Sequence, residues 1–239
     1  MRFRFRLVPF IATVIVMAAG LSLAQWQTRR GDEKLAIEAT MRSRQAEPAI
    51  RFDGRNAAAA ESEYRHVLLR GEFVRDWPMY LDNRPHNGIA GFYLLMPFKI
   101  ASTDLHVLVA RGWIPRNPAV RTQFPPLITP SGSMEIEGML RSSAGHVMQL
   151  GSPEPLRPGA IVQNLDTAEF AAASGLNTYP MIVEQSNDTR DGLVRDWPLP
   201  STGVEKHRAY AFQWYALTVM AFLFFVVTGF RRGSKQESK

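Results

Sequence analysis

His207 stands two residues ahead of a long apolar run, and helical spacing brings Tyr210, Ala211, Trp214 and Tyr215 onto its face at i+3, i+4, i+7 and i+8. A neutral imidazole beside a small residue and flat aromatic rings offers what an iron porphyrin needs: an axial ligand, then apolar surface for the macrocycle. The same residues also make an interfacial aromatic belt with a histidine at its edge, and spacing alone leaves both readings open. His66, His86, His106 and His146 are scattered singly beside strand and turn residues, away from metal-ligand spacing, and read as structural. Cysteine is absent, which removes thiol nucleophiles, thiolate metal sites and disulfides and disfavours copper delivery. No Gly-x-Ser-x-Gly elbow, Walker loop, GxGxxG or His-Glu-x-x-His occurs, and the carboxylates are too evenly spread to mark an acid and base pair. The expectation is a protein that is not an enzyme.

Two apolar runs must position these residues, Leu7 to Ala24 and Ala209 to Phe230, each uncharged and close to the roughly 20 residues that a bilayer core requires. They divide the chain into an N-terminus (1–6), a first membrane helix (7–24), a β-rich domain with an N-terminal helical extension (25–208), a second membrane helix (209–230) and a tail (231–239). The net charge of +6 does not belong to the domain, because Gly31 to Lys206 carries 18 Lys and Arg against 21 Asp and Glu, a balance of −3. A slightly acidic domain argues against nucleic acid. The basic excess sits at the membrane edges. Arg2, Arg4 and Arg6 precede the first run and Arg231, Arg232, Lys235 and Lys239 follow the second, as expected for two cytoplasmic ends beside anionic lipid. The first run also reads as a secretory signal with Ser22-Leu23-Ala24 as its cleavage site, whereas the six residues before it leave no room for a mitochondrial presequence. The expected setting is a bacterial inner membrane with the domain periplasmic.

Gly31 to Glu47 has helix-forming composition and extends the first helix before Pro48. Short β-rich runs follow: Tyr64 to Phe73, Met79 to Leu81, Gly91 to Phe98, Leu105 to Ala110, Met134 to Leu140, Ala160 to Gln163 and Met181 to Glu184. Met134-Glu135-Ile136-Glu137 alternates, so one face there should be buried and the other wet. Asp166 with Glu169 forms a capping-box pattern ahead of Phe170 to Ala173, with Gly175 as the C′ residue. The expected fold class is therefore two transmembrane helices flanking one mainly antiparallel β domain, sandwich or small barrel, with a short inserted helix. Val74-Arg75-Asp76-Trp77-Pro78 recurs at Val194 to Pro198 with unmatched flanks, which reads as turn chemistry used twice.

Four motifs occur in order: Trp26-Gln27-Thr28-Arg29, Gly91-Phe92-Tyr93-Leu94-Leu95-Met96-Pro97-Phe98, Val107-Leu108-Val109-Ala110-Arg111-Gly112-Trp113-Ile114-Pro115 and His207-Arg208-Ala209-Tyr210-Ala211-Phe212-Gln213-Trp214. Together they resemble the surfeit locus protein 1 family of cytochrome c oxidase assembly factors. The resemblance implies two membrane helices, an outside domain and a role in placing heme a into oxidase subunit I, with His207 matching the family's heme-associated histidine. Two positions depart from the family pattern: Ala110 and Lys206 stand where asparagine is usual.

Arg111-Gly112-Trp113 follows the run Leu105 to Ala110. Gly112 suits a bulge, Trp113 a core anchor, and the planar fork of Arg111 could pair either an acid or a heme propionate. Trp26 reads as an interface anchor or a heme contact. The expected heme-binding set is His207, Tyr210, Trp214, Arg111, Trp113 and Trp26, with His207 the iron ligand, heme a the transient cofactor, and subunit I, heme a synthase and membrane lipid the partners. The rivals are a heme-free scaffold for nascent subunit I and a membrane-anchored hydrolase. Ala12, Gly20 and Ala24 recur at multiples of four, a small-residue stripe that would let the two helices pack closely.

Overall fold

The computed structural model describes residues 3, 5–54, 62–120, 122–149, 151, 154–198 and 203–234, with side chains described as far as 230. Its contacts divide into two compact units, residues 41–199 and the combination of 1–40 with 200–239. Helix α1 runs unbroken over Leu7–Ala46, in keeping with the helix-forming composition of Gly31 to Glu47, and the last helix, α3, spans Val204–Ser234. Both are long and apolar enough to cross a membrane, and only 11% of each apolar window is buried, unlike the core helix of a soluble domain.

Among the described residues, the unit of residues 41–199 contains eight strands: β1 Ile50–Arg51, β2 His66–Phe73, β3 Met79–Leu81, β4 Gly91–Ile100, β5 His106–Pro115, β6 Met134–Arg141, β7 Ile161–Val162 and β8 Thr178–Gln185. They form one sheet in the order β1-β2-β6-β8-β5-β4-β3-β7, and a further pairing of β2 with β4 closes β2, β6, β8, β5 and β4 into a five-stranded barrel. Closure turns on Gly71, where β2 meets both β6 and β4 and where a Cβ would collide with Lys99 O. Most pairings are antiparallel, as expected, but β1–β2, β3–β7 and the central β5–β8 are parallel.

Burial explains which strands alternate. β6 is covered on one face only, and Ile136 and Leu140 point inward while Glu135 and Glu137 stay wet. β5 is buried along its length except at Pro115: Val107 and Val109 join the inner cluster with Phe92, Leu94, Met96, Phe98 and Val183, while Leu108 and Ala110 join an outer cluster with Met79, Leu95, Phe170 and Ile182. The outer layer includes α2, Thr167–Ser174, capped by Asp166 Oδ1 accepting from Ala168 and Glu169 N–H and ended by Gly175 at φ 70°. Eight residues fall short of the roughly 12–15 that an isolated helix needs, so α2 depends on the burial of Phe170, worth about 1.5–3 kcal/mol. Trp77 packs its ring on Phe170 and Trp197 on Tyr93, at centroid distances of 5.5 and 5.0 Å, so both copies of the repeated pentapeptide put a tryptophan on the outer cluster.

In the helical unit, α1 and α3 run antiparallel along one seam. Gly20, Ala24, Gln27 and Gly31 face His207, Ala211, Trp214 and Thr218, both sets spaced alternately by three and four residues, the heptad pattern of a two-helix supercoil. A Cβ on Gly20 would collide with Thr218 Oγ1, and Ala24 is fully buried. Ala12, expected on the same stripe, is exposed. A spacing of four drifts off a 3.5-residue seam within two turns, and Thr13 and Met17 turn inward instead. Phe3 closes the far end against Phe225 and Phe230, with ring centroids 5.8 and 5.3 Å away.

Candidate functional site

His207 lies on the first turn of α3, at a seam position, half-buried against α1. Its Nδ1 sits 2.7 Å from Gln27 Oε1. An amide oxygen only accepts, so in this pairing Nδ1 is the donor, and in a neutral ring Nε2 would keep its lone pair. One turn on, Ala211 is buried. One further turn on, half-buried Trp214 leads into an apolar groove of ≈ 450 Å³ lined by Val16, Gly20, Leu217, Ala221 and Phe224 beside the Gly20–Thr218 contact. Trp26 and Tyr210 are 47% and 53% exposed. Of the expected set, the fold thus brings His207 and Trp214 onto the seam and leaves Trp26 and Tyr210 on the outer faces of their helices.

These residues fit a heme in one respect that the sequence did not display. The donor set is a single imidazole whose second nitrogen is already satisfied by the partner helix, which is how proteins fix the tautomer and direction of a metal-binding histidine. Gln27 went unremarked as a site residue even though it lies inside Trp26-Gln27-Thr28-Arg29, because only the register between two helices 180 residues apart pairs it with His207. Among the described residues no group of three or more His, Asp or Glu side chains could hold a metal ion.

Arg111 and Trp113 belong to the barrel unit. Contrary to the expectation that Arg111-Gly112-Trp113 follows a strand, the trio lies inside β5 at a bulge. Leu94 pairs with Gly112 and Leu95 with Ala110, so Arg111 has no opposite residue and its side chain turns inward. It is fully buried. Nη2 donates to Asp191 Oδ2 at 2.8 Å and to Ile128 O at 2.9 Å, Nη1 donates to Thr129 Oγ1 at 2.7 Å, and the guanidinium lies 4.7 Å from the centre of the Phe73 ring. Of the two partners expected for the fork, the fold supplies the acid, and no donor faces outward for a propionate.

Asp191 is also held by Arg195 Nη2 at 2.6 Å and by the Thr189 hydroxyl at 2.9 Å. Burial pushes its carboxyl up, but the hydrogen bonds from Arg195 and Thr189, the Arg195 charge and the Leu193 N–H outweigh that and hold it below the usual carboxylate range. Trp113 is nearly buried. Its Nε1 donates to Arg84 O at 2.7 Å, and its backbone forms a bridge with Val194, so the trio ties β5 to the turn that carries Asp191. Ala110 packs without exposure in the outer cluster, an apolar place that asks for no side-chain donor.

A model of the SURF1 family matches residues 14–219, a span that includes the seam, His207 and the whole barrel. Surfeit locus protein 1 of Rattus norvegicus is 25% identical over 222 residues, covering 85% of this chain and 70% of the rat protein. A SURF1-like protein of Rickettsia felis is 25% identical over 224 residues, covering 91% of this chain and 95% of its own length. The cytochrome oxidase assembly protein SHY1 of Saccharomyces cerevisiae is 42% identical over 52 residues, 22% of this chain and 13% of the yeast protein. A family match over residues 14–219, from the first long apolar helix through the barrel to the second, shows that this chain belongs to the SURF1 family.

Proposed function

We propose that this chain is a membrane-anchored, non-enzymatic assembly factor for cytochrome c oxidase that holds heme a transiently on His207 and hands it to subunit I, with heme a synthase as the source. The observation that carries the reading is the His207–Gln27 pair, one imidazole with Nδ1 engaged and Nε2 free at the end of a membrane helix. Support for the wider role comes from the SURF1 family match and from the yeast relative, whose name places it in cytochrome oxidase assembly. The porphyrin iron, when bound, supplies a coordination site for one imidazole nitrogen. The chain's own residues do the rest: His207 presents Nε2, Gln27 holds Nδ1–H, Ala211 leaves room, and Trp214, Tyr210 and Trp26 provide flat apolar surface. A single histidine suits a cargo that must leave, since no second axial ligand has to be broken. The setting that fits is a bacterial inner membrane with the barrel on the periplasmic side.

One observation favours the rival scaffold, in which His207 serves only as a polar pair in the helix seam. Substitution separates the two. His207→Ala should leave the protein inserted, abolish co-purification of heme a, and lower the heme content of assembled oxidase more than the amount of its subunit I polypeptide. His146→Ala, at an exposed position in the barrel unit, is the control and should retain heme. If the His207 variant binds heme a as the parent does, the scaffold reading replaces this one.

A further inference from the structure

We infer that Gln27 is a positioning residue for His207: it fixes the imidazole as the Nδ1–H tautomer and aims Nε2 away from α1, toward whatever the ring binds. As it concerns iron, the inference rests on the function proposed above. The tautomer itself rests on geometry alone. Gln27 and His207 are half-buried and oppose each other at seam positions whose other occupants are small or apolar, Gly20, Ala24, Ala211 and Val204 among them. A polar residue at such a position weakens packing unless it finds a partner across the seam, and then it fixes register. Here the partners lie 2.7 Å apart, and Gly31, one turn beyond Gln27, keeps α1 close: a Cβ built there would touch His207 Cβ at 3.7 Å. The two nitrogens of an imidazole point in divergent directions. Engaging Nδ1 with α1 therefore turns Nε2 from the seam, the orientation that a metal or porphyrin approaching from outside requires. The opposite arrangement, with the Gln27 amide nitrogen donating to Nδ1, would put the hydrogen on Nε2 and close the ring to metal.

The experiment reads the proton directly. The full chain, labelled with 15N-histidine and held in lipid nanodiscs, gives long-range proton–nitrogen correlations for its five histidines, and His207→Ala identifies the His207 signals. With the ring neutral, Nδ1 of His207 should show the pyrrole-type shift and Nε2 the pyridine-type shift. Gln27→Leu should move His207 to a mixture of tautomers, and Gln27→Glu, which keeps an acceptor, should restore the parent pattern. A parent spectrum with Nε2 protonated overturns the inference, as does a Gln27→Leu spectrum identical to the parent's. Heme a added to the same samples gives the second arm. Gln27→Leu should bind about 10–100-fold more weakly, as is usual when such a supporting partner is lost. Gln27→Glu should bind with a stiffer iron–imidazole stretch in resonance Raman spectra, because a carboxylate draws the Nδ1 hydrogen further from the ring. If the parent binds no heme a while the tautomer pattern holds, the proposed function fails and the positioning role of Gln27 stands.

Discussion

Arg111 shows how a motif that looks chemical can be structural. A buried guanidinium costs several kcal/mol to desolvate, and only complete engagement offsets that. Asp191, Thr129, the Ile128 carbonyl and the Phe73 ring meet most of the need, with Nε alone lacking a protein partner. Removing one member of such a pair leaves the other uncompensated. Arg111→Met should lower the unfolding free energy of the full chain by about 3–5 kcal/mol, read from denaturant titration by tryptophan fluorescence. Arg195 continues to hold Asp191, so the lower end of that range is expected. The pH dependence has a definite sign. A carboxyl whose folded value lies below its unfolded one contributes stability above about pH 3.9, and that contribution is lost as the pH falls through the folded value. The parent should lose stability on acidification below about pH 4, and Asp191→Asn, already destabilised at neutral pH, should lose less on the same titration. The fork was legible in Arg111-Gly112-Trp113, but the motif left an acid and a heme propionate equally open as its partner. Which acid was not legible, because Asp191 lies 80 residues away across a bulge whose register no local pattern records.

Legibility among the elements followed their solvent exposure. β6, wet on one face, announced itself by alternation, and α2 by its caps, since in both cases the signal is local. β5 did not show its full length: with an outer layer on one side and the barrel interior on the other, its residues are apolar without period, and the polar Arg111 looked like an end when it was a bulge. The parallel β5–β8 pairing was hidden for a related reason, since side-chain patterns report faces and not strand direction. For the helix pair the small residues were visible but their period was not, because only Gly20 and Ala24 of the three lie on the seam, and two residues four apart fit 3.5 and 4 alike. The native absence of cysteine makes the seam testable. Gly20→Cys with Thr218→Cys places two thiols where the built Cβ of Gly20 lies 3.5 Å from Thr218 Cβ, within disulfide range. Mild oxidant should cross-link this pair, whereas Ala12→Cys with Thr218→Cys should stay reduced. Gly20→Leu should weaken the seam by about 1–3 kcal/mol through overpacking while leaving insertion intact, since leucine favours the bilayer. Oxidase assembly should fall with it, and normal oxidase levels would mean that the close approach of the helices serves no assembly step.

For the molecule as a whole, the two proposed crossings would put both ends on one membrane face and everything between them on the other. The charges beside the two apolar helices bear on which face that would be. Seven basic residues, Arg2, Arg4, Arg6, Arg231, Arg232, Lys235 and Lys239, flank the terminal ends, against Arg29, Arg30 and Arg208 at the opposite ends. Each basic residue near an anionic surface gains on the order of 1 kcal/mol, so the imbalance supports the proposed orientation, cytoplasmic ends with a periplasmic barrel, even though three charges oppose it. The barrel's composition does not reverse this, because a long loop crosses largely regardless of its charge. The continuous run of α1 to Ala46 adds a consequence of its own. At 1.5 Å per residue its 40 residues extend about 60 Å, twice a hydrocarbon core, so the proposed topology, with the apolar run in the bilayer, would leave the portion after about residue 27 outside it and the Gln27–His207 pair near the interface, where a porphyrin with charged propionates could keep them in water. Protease added to spheroplasts should therefore cut within residues 41–199 while a reporter fused after Lys239 stays protected. A reporter that is digested, or a barrel that survives until the cells are lysed, would reverse the orientation and put His207 at the cytoplasmic face.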